Sequence, residues 1–239
     1  MTGTRGHRPP PPPPTADIDL IDRILYQDAH LIVLDKPAGL AAHGGPGGGP
    51  NVEAYLDEMR FGFQRTPALA HRLDRDTSGC LVLGRHYKAM SRLGKLFEDG
   101  QIGKVYWAVV AGRPIADAGT MDVPIEKETG RDGWRMVLSR SGRPAVTDWR
   151  VLGRGNGMSW LELRPRTGRT HQVRVHAAGL GHPVLGDTMY GDGSAGVPLH
   201  LHARAVTIPY AASRPPVTVE APPPEHMRAA LAACGWSAA

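Results

Sequence analysis

The feature that most constrains this chain is the succession of short strand-like segments filling its second half. KVYWAVVAG, from Lys104, alternates so that Lys104, Tyr106 and Ala108 share one face. WRMVLSR, AVTDWRVLGR and SWLELRP follow, separated by turns bearing glycine and proline, and LHLHARAVTIPY and PVTVEAP close the series. Strands in succession, with short connections and only a few helices, predict an α+β domain on a mixed, mostly antiparallel sheet.

The first half is expected to supply helices and a buried strand. Ile18 to Tyr26 reads as a short amphipathic segment, and Leu31 to Leu34 as a buried strand that Lys36-Pro37-Ala38-Gly39 turns out of. The glycine-rich stretch 43–50 reads as a mobile loop before a helix starting near Asn51, with Asn51 as its N-cap. Val52, Tyr55, Leu56 and Met59 would share one face of that helix. A second helix, from about Lys88, carries Met90, Leu93, Leu96 and Phe97 and stops at Gly100. A C-terminal helix is expected over about Glu225 to Cys234. Pro9 to Pro14, six prolines in a row, favours polyproline II, so residues 1–16 are expected as an extended tail and 17–239 as one folded domain.

Composition excludes several function classes. No apolar run approaches the roughly 20 residues a bilayer requires, so no membrane partner is expected. With no apolar h-region at the N-terminus, a signal peptide is not expected. Cys80 and Cys234 form no C-x-x-C pair, which argues against a zinc site or a disulfide scaffold and for a reducing, cytoplasmic location. The formal net charge of +5 favours a polyanionic partner.

Four segments concentrate polar residues. DKPAGLAAH contains Lys36 and His43. HRLDRDTSGCLVLGR holds Asp74 in a turn-prone run feeding the apolar segment Cys80 to Leu83, a rigid support for a reactive loop. GKVYWAVVAG contains Lys104 and Tyr106, and RPRTGRTHQVRVHAAGLGHPVLGDTMYG contains Arg164, Arg166, Arg169, His171, Arg174 and His176. Taken singly, each has a plain reading: a lone Asp74 caps its turn, Lys36 is a solvated turn lysine, and Tyr106 is a sheet tyrosine with its hydroxyl at the rim. The arginine cluster resists one, because its guanidinium groups repel one another unless an anion, phosphate above all, sits among them. His171 and His176 are five apart and no carboxylate or cysteine completes a set with them, so no metal site is expected.

These four segments, in this order, resemble the RluA-type pseudouridine synthases. LDKPAGL is similar to that family's lysine-proline-glycine motif, HRLDRDTSG to its catalytic loop, GKVYWAVVAG to its lysine-x-tyrosine strand, and GRTHQVRVHAAGLGHPVLGD to its RTHQ segment. LHLHA near residue 200 resembles its late leucine-histidine-alanine strand, so the likeness spans about Leu31 to Pro209. A histidine before Arg72 favours the RluA branch over the RsuA branch, where glycine is usual. No S4-like RNA-binding module is expected before the motifs, where the proline-rich stretch stands instead.

The resemblance implies isomerisation of a uridine in ribosomal or transfer RNA to pseudouridine, with no metal or other cofactor. It implies that Asp74 is the nucleophile or base, that Arg174 pairs with it and keeps it charged and oriented, and that Tyr106 lies against the uracil. It further implies that Arg72 fills the gap left by the flipped base, that Lys36 and Lys104 support the site or contact phosphate, and that Arg164, Arg166, Arg169 and His171 bind the RNA. Asp74, Tyr106 and Arg174 should therefore converge on one slot about the size of a pyrimidine. A monomer is the default expectation. Two other readings remain: a catalytically silent RNA-binding protein on the same fold, and a carboxylate-dependent glycoside hydrolase with Asp76 as the second acid.

Overall fold

The computed structural model describes residues 18–45, 49–130, 133–191 and 196–238. The proline-rich tail and the centre of the glycine-rich loop lie outside the described residues. In chain order the elements are β1 (Ile24–Gln27), β2 (Leu31–Lys36), a 3-10 segment (Val52–Arg60), β3 (Ala68–Leu69), β4 (Ser78–Gly84), α1 (Tyr87–Glu98), β5 (Gly103–Ala111) and β6 (Ala118–Asp122). β7 (Ile125–Gly130), β8 (Gly133–Leu138), β9 (Val146–Gly155), β10 (Met158–Pro165), α2 (Gln172–Gly179), β11 (Leu201–Ile208), β12 (Val217–Glu220) and α3 (Glu225–Ala233) follow. None of the described helices is long and apolar enough to cross a membrane.

Ten strands form one sheet in the order β1-β2-β4-β11-β5-β10-β9-β6, with β12 on β11 and β3 on β4. Only β4 and β11 run parallel; the other pairs are antiparallel, as expected of a mixed α+β fold. The hairpin β7–β8 stands apart as a second sheet.

Period-two alternation sends β2 to both faces. Ile32 and Leu34 pack with Leu81, Leu83 and the 3-10 residues Val52, Leu56 and Met59. Leu31 and Val33 pack with Val82 and with Leu93 and Leu96 of α1. Farther along the sheet, Ala108, Leu161 and Leu163 meet Val173 and Ala177 of α2, whereas Val109 meets Met227 and Leu231 of α3. Tyr106 packs against both the 3-10 cluster and the α2 cluster, so those two elements cover one face and α1 and α3 the other.

Several expectations are corrected. The segment after Asn51 buries Val52, Tyr55, Leu56 and Met59 as its pattern predicts, but it is 3-10 and kinked at Met59. Asn51 stands at the cap position without capping, and its amide donates to the Gly49 carbonyl instead. Ile18 to Tyr26 is not one amphipathic element: Asp19 accepts from the Ile21 N–H in a turn, and β1 begins at Ile24. α2 has no sequence signature because Gln172, Val173, Val175, His176 and Ala177 are all buried, which leaves no polar face to alternate with an apolar one. β6 and most of β7 expose their side chains, and such strands lack the apolar alternation that would announce them.

Candidate active site

The Asp74 loop is held from behind. Lys36 is fully buried, and its Nζ donates to the carbonyls of Pro37 (2.8 Å), Leu40 (2.7 Å) and Arg75 (2.9 Å). The Arg75 carbonyl also accepts from the Gly39 N–H at 3.0 Å, and Arg75 Nε returns a bond to the Gly39 carbonyl at 3.1 Å. The lysine-proline-glycine turn is thus a clamp on the residue next to Asp74. All three protons of Lys36 are engaged, so it supports the loop from within and offers nothing to a phosphate. Burial pushes its ammonium down to about 7, against the pull of Asp76 and Asp74.

On its C-terminal side the loop closes with the Thr77 N–H donating to the Asp74 carbonyl at 3.1 Å and enters β4 at once. Gly79 has φ +101°, and a Cβ there would stand 2.3 Å from the Ala203 carbonyl oxygen. Glycine is required because the parallel β4–β11 pair approaches so closely at this point. Ser78 Oγ and His202 Nδ1, 2.8 Å apart, tie the same two strands. Before the loop, His71 Nε2 accepts from the Val82 N–H at 3.0 Å and its ring stacks on Phe97. Burial drops its pKa to about 4, so the imidazole is neutral.

Asp74, Tyr106 and Arg174 come together. They line one cleft with His171, Leu73, Val173 and Leu201. Arg174 Nη1 and His171 Nε2 each lie 3.7 Å from Asp74 Oδ2. The carboxylate of Asp74 keeps 20% exposure. Arg174, however, has a closer partner. Asp187, fully buried, accepts from its Nε at 2.7 Å and Nη2 at 2.8 Å in a bidentate pair. Asp187 Oδ1 also accepts from the Met189 and Tyr190 N–H groups. Burial opposes both charges, but the pair prevails: Asp187 is held below the usual carboxylate range and Arg174 above its ordinary value. Asp187 therefore anchors the guanidinium, leaving Nη1 turned to Asp74.

Tyr190 completes the support. Its Oη lies 2.8 Å from His171 Nδ1 and accepts from the Met136 N–H of β8, while its ring sits under the Arg174 guanidinium at 5.1 Å. Trp134 of β8 stacks on His171, so the β7–β8 hairpin buttresses the residues that line the site. Burial lowers the pKa of His171 despite the attraction of Asp74. Burial raises that of Tyr106, and the Asp74 charge adds to it, so the phenol stays protonated at neutral pH.

The cleft holds about 60 Å³. It opens at the Arg72–Tyr106 wall into a neighbouring groove, so the space for a base is not confined to the cleft itself. Arg72 lines the cleft, is exposed, and has no ion-pair partner among the described residues.

The remaining candidates disperse. Lys104 donates to the Thr167 carbonyl at 2.9 Å and borders a neighbouring groove with Arg72, Arg166 and Arg169. Arg166 is paired bidentately with Asp148, and Arg169 Nε donates to the Pro144 carbonyl. Arg164 sits elsewhere: alternation along β10 places it with Glu162 on the face opposite Leu163 and Tyr106, and Glu162 holds both Arg164 and Arg150. Asp76 is exposed, 3.9 Å from Arg75, and does not line the cleft. His176 is buried between Thr147 Oγ1 and the Val123 carbonyl. Gln172, unremarked in the sequence, pins the RTGRT turn: its Oε1 accepts from Thr167 and from the Arg169 N–H, and its Nε2 donates to Val146 and Thr147. Asp187 and Tyr190, at the end of the same segment, were equally silent, although an acid closing so basic a stretch is a natural counter-charge.

The model of the RNA pseudouridylate synthase family matches residues 30–179. An uncharacterised RNA pseudouridine synthase of Zymomonas mobilis is 43% identical over 212 residues, covering 86% of this chain and 95% of the relative. The ribosomal large subunit pseudouridine synthase D of Xylella fastidiosa is 38% identical, covering 88% of this chain and 68% of its own. The human RNA pseudouridylate synthase domain containing 4 superposes with TM-score 0.74 at 30% identity, covering 90% of this chain and 94% of that one. Likeness of this extent, in sequence and in fold, means that the chain belongs to the RluA family of RNA pseudouridine synthases, isomerases that convert uridine in RNA to pseudouridine.

Proposed function

We propose that Asp74 is the catalytic carboxylate of this synthase, acting on a flipped uridine of ribosomal or transfer RNA. The observation that carries the reading is the convergence of Asp74, Arg174 and Tyr106, from a loop, a helix and a strand, on one cleft. Asp74 attacks as the carboxylate, and Arg174, anchored by Asp187, orients it with Nη1 3.7 Å from Oδ2. As nucleophile, Asp74 bonds to C1′ as the N-glycosidic bond breaks, the freed uracil turns while bound, and C5 displaces the carboxylate from C1′; C5 then loses its proton and N1 gains one, so reactant and product have the same atoms. The Tyr106 ring backs the base, and its protonated hydroxyl serves as a donor. Extracting the uridine from its stack costs a few kcal/mol, and Arg72, exposed and lining the cleft, takes the vacated place.

The name of the Xylella relative favours a large-subunit ribosomal substrate. The enzyme acts as a monomer in the cytoplasm, with residues 17–239 as one catalytic domain and no metal. A glycoside hydrolase would need a second free carboxylate at the bond; Asp76 points elsewhere and Asp187 is tied to Arg174. A silent RNA binder would have no need of an oriented, charge-paired carboxylate.

The test is Asp74→Asn. Pseudouridine mapping in RNA from cells with and without the gene identifies the target. Purified Asp74→Asn should bind that RNA within a few-fold of wild type and form no pseudouridine. A variant that isomerises at the wild-type rate overturns the assignment.

A further inference from the structure

A groove of about 590 Å³ opens beside the cleft, within the roughly 300–1,000 Å³ that ligand sites span. The two share a wall, since Arg72 and Tyr106 line both. One end of the groove is cationic. Arg72, Lys104 and Arg169 line it, and none has a carboxylate within ion-pair reach among the described residues, whereas Arg166 is neutralised by Asp148. Glu98, the one carboxylate among the lining residues, is exposed and likewise forms no ion pair among the described residues.

Lys104 is the telling group. It is half-buried, gives one proton to the Thr167 carbonyl, and has two left for another acceptor. A Cβ at Gly168 would stand 3.7 Å from its Nζ, so glycine leaves the ammonium uncovered on that side. Burial lowers its pKa with no anion nearby to offset the effect. A sheltered cation without a counter-ion is a cost that a bound anion relieves. Apart from Glu98, the wall away from the cations is uncharged and carries an aromatic pair, Phe97 stacked at 4.7 Å on the neutral His71.

We propose that this groove holds the nucleotide adjacent to the target uridine, its phosphate on Lys104 and Arg169 and its base against Phe97 and His71. The proposal rests on the reading of the Asp74 cleft as the uridine site, because the shared Arg72–Tyr106 wall makes the two sites successive. A cationic end beside an aromatic wall is the chemistry of a phosphate with its base. Two successive nucleotides must then leave their stack together, so the enzyme selects uridines in loops over uridines in helices.

The test uses the full-length enzyme and a transcript of the loop carrying the mapped uridine. Uncharged methylphosphonates replace the flanking phosphates one at a time, and KM and kcat are measured for wild type, Lys104→Met and Arg169→Gln. At one flanking position the neutral linkage should raise the wild-type KM about tenfold, the loss expected of one charge-assisted contact. Lys104→Met should raise KM similarly on native RNA but add less than about twofold on that modified RNA, and Lys104→Arg should restore most of the loss. Pairing the neighbouring nucleotide into a stem should lower kcat/KM by about a hundredfold, as expected of a few kcal/mol of unstacking. Effects that add independently at both phosphates, or equal rates on loop and stem, overturn the groove assignment. Asp74→Asn on the same transcript separates the outcomes. If it is inactive while the KM effects add, only the groove falls; if it is active, the reading of the cleft falls.

Discussion

Asp187→Asn tests the claim that a residue to which the motifs alone assign no role holds the site together. The substitution preserves size but removes the charge from a fully buried bidentate pair whose arginine is 11% exposed. An asparagine oxygen can still accept from Met189 and Tyr190, yet its amide now faces the Arg174 donors. Breaking one partner of a buried pair costs about 3–5 kcal/mol. Asp74, 3.7 Å from Arg174, is a fallback anion, so the lower end of that range is expected. For a domain of this size about 3 kcal/mol lowers Tm by roughly 6–12 °C. The pH dependence has a definite sign. Asp187's pKa is depressed in the folded state, so its stabilisation is complete above the unfolded value near 4 and is lost as pH falls through the folded value. The gap between wild type and variant should therefore be full at pH 7 and narrow below about pH 4. Urea denaturation across that range reads it directly. The double variant Arg174→Met/Asp187→Leu should recover most of the stability and none of the activity, because removing a buried pair altogether is far cheaper than breaking it. An Asp187→Asn protein that melts within about 2 °C of wild type, or a gap that persists in acid, refutes the anchoring role.

Four further outcomes are expected. Gly79→Ala should cost about 2–5 kcal/mol in urea denaturation, through the positive φ and the 2.3 Å approach to the Ala203 carbonyl; a loss below about 1 kcal/mol contradicts that contact. Lys36→Met should reduce activity by loosening the Arg75 carbonyl. Because the folded-state Lys36 pKa, about 7, lies below the unfolded one near 10.4, the unfolded chain binds the extra proton between them, so wild type should gain stability as pH rises from 7 to 10, and Lys36→Met should lack that limb. Tyr106→Phe should keep KM within a few-fold and lower kcat, and wild type should show no basic limb near pH 10 belonging to Tyr106, whose pKa is raised; such a limb, absent from the Phe variant, would contradict the protonated phenol. Arg169→Gln should reduce the slope of log affinity against log salt by about 0.7, whereas Arg164→Gln, paired with Glu162 on the far face, should leave it unchanged; equal effects count against the face assignment.

The chain's local patterns were enough for the elements with one wet and one dry face. α1 carries Leu93 and Leu96 on a single stripe and α3 lies where its apolar spacing put it, whereas β2, dry on both faces, was legible as a short unbroken apolar run. The motifs that resemble the RluA family were enough to name Asp74, Tyr106 and Arg174 as a set. Periodicity falls silent where burial is all-round, as in α2, or absent, as in β6, because no contrast remains between faces. It is equally silent about partners distant in sequence. That β11 inserts between β4 and β5, that Lys36 turns inward to three carbonyls, and that Arg164 points away from Tyr106 all depend on strand order. Side-chain chemistry specified which groups could react. Only the tertiary structure decided that Asp187, not Asp74, is the close partner of Arg174, since a buried charge settles on the anion that chain packing places nearest it.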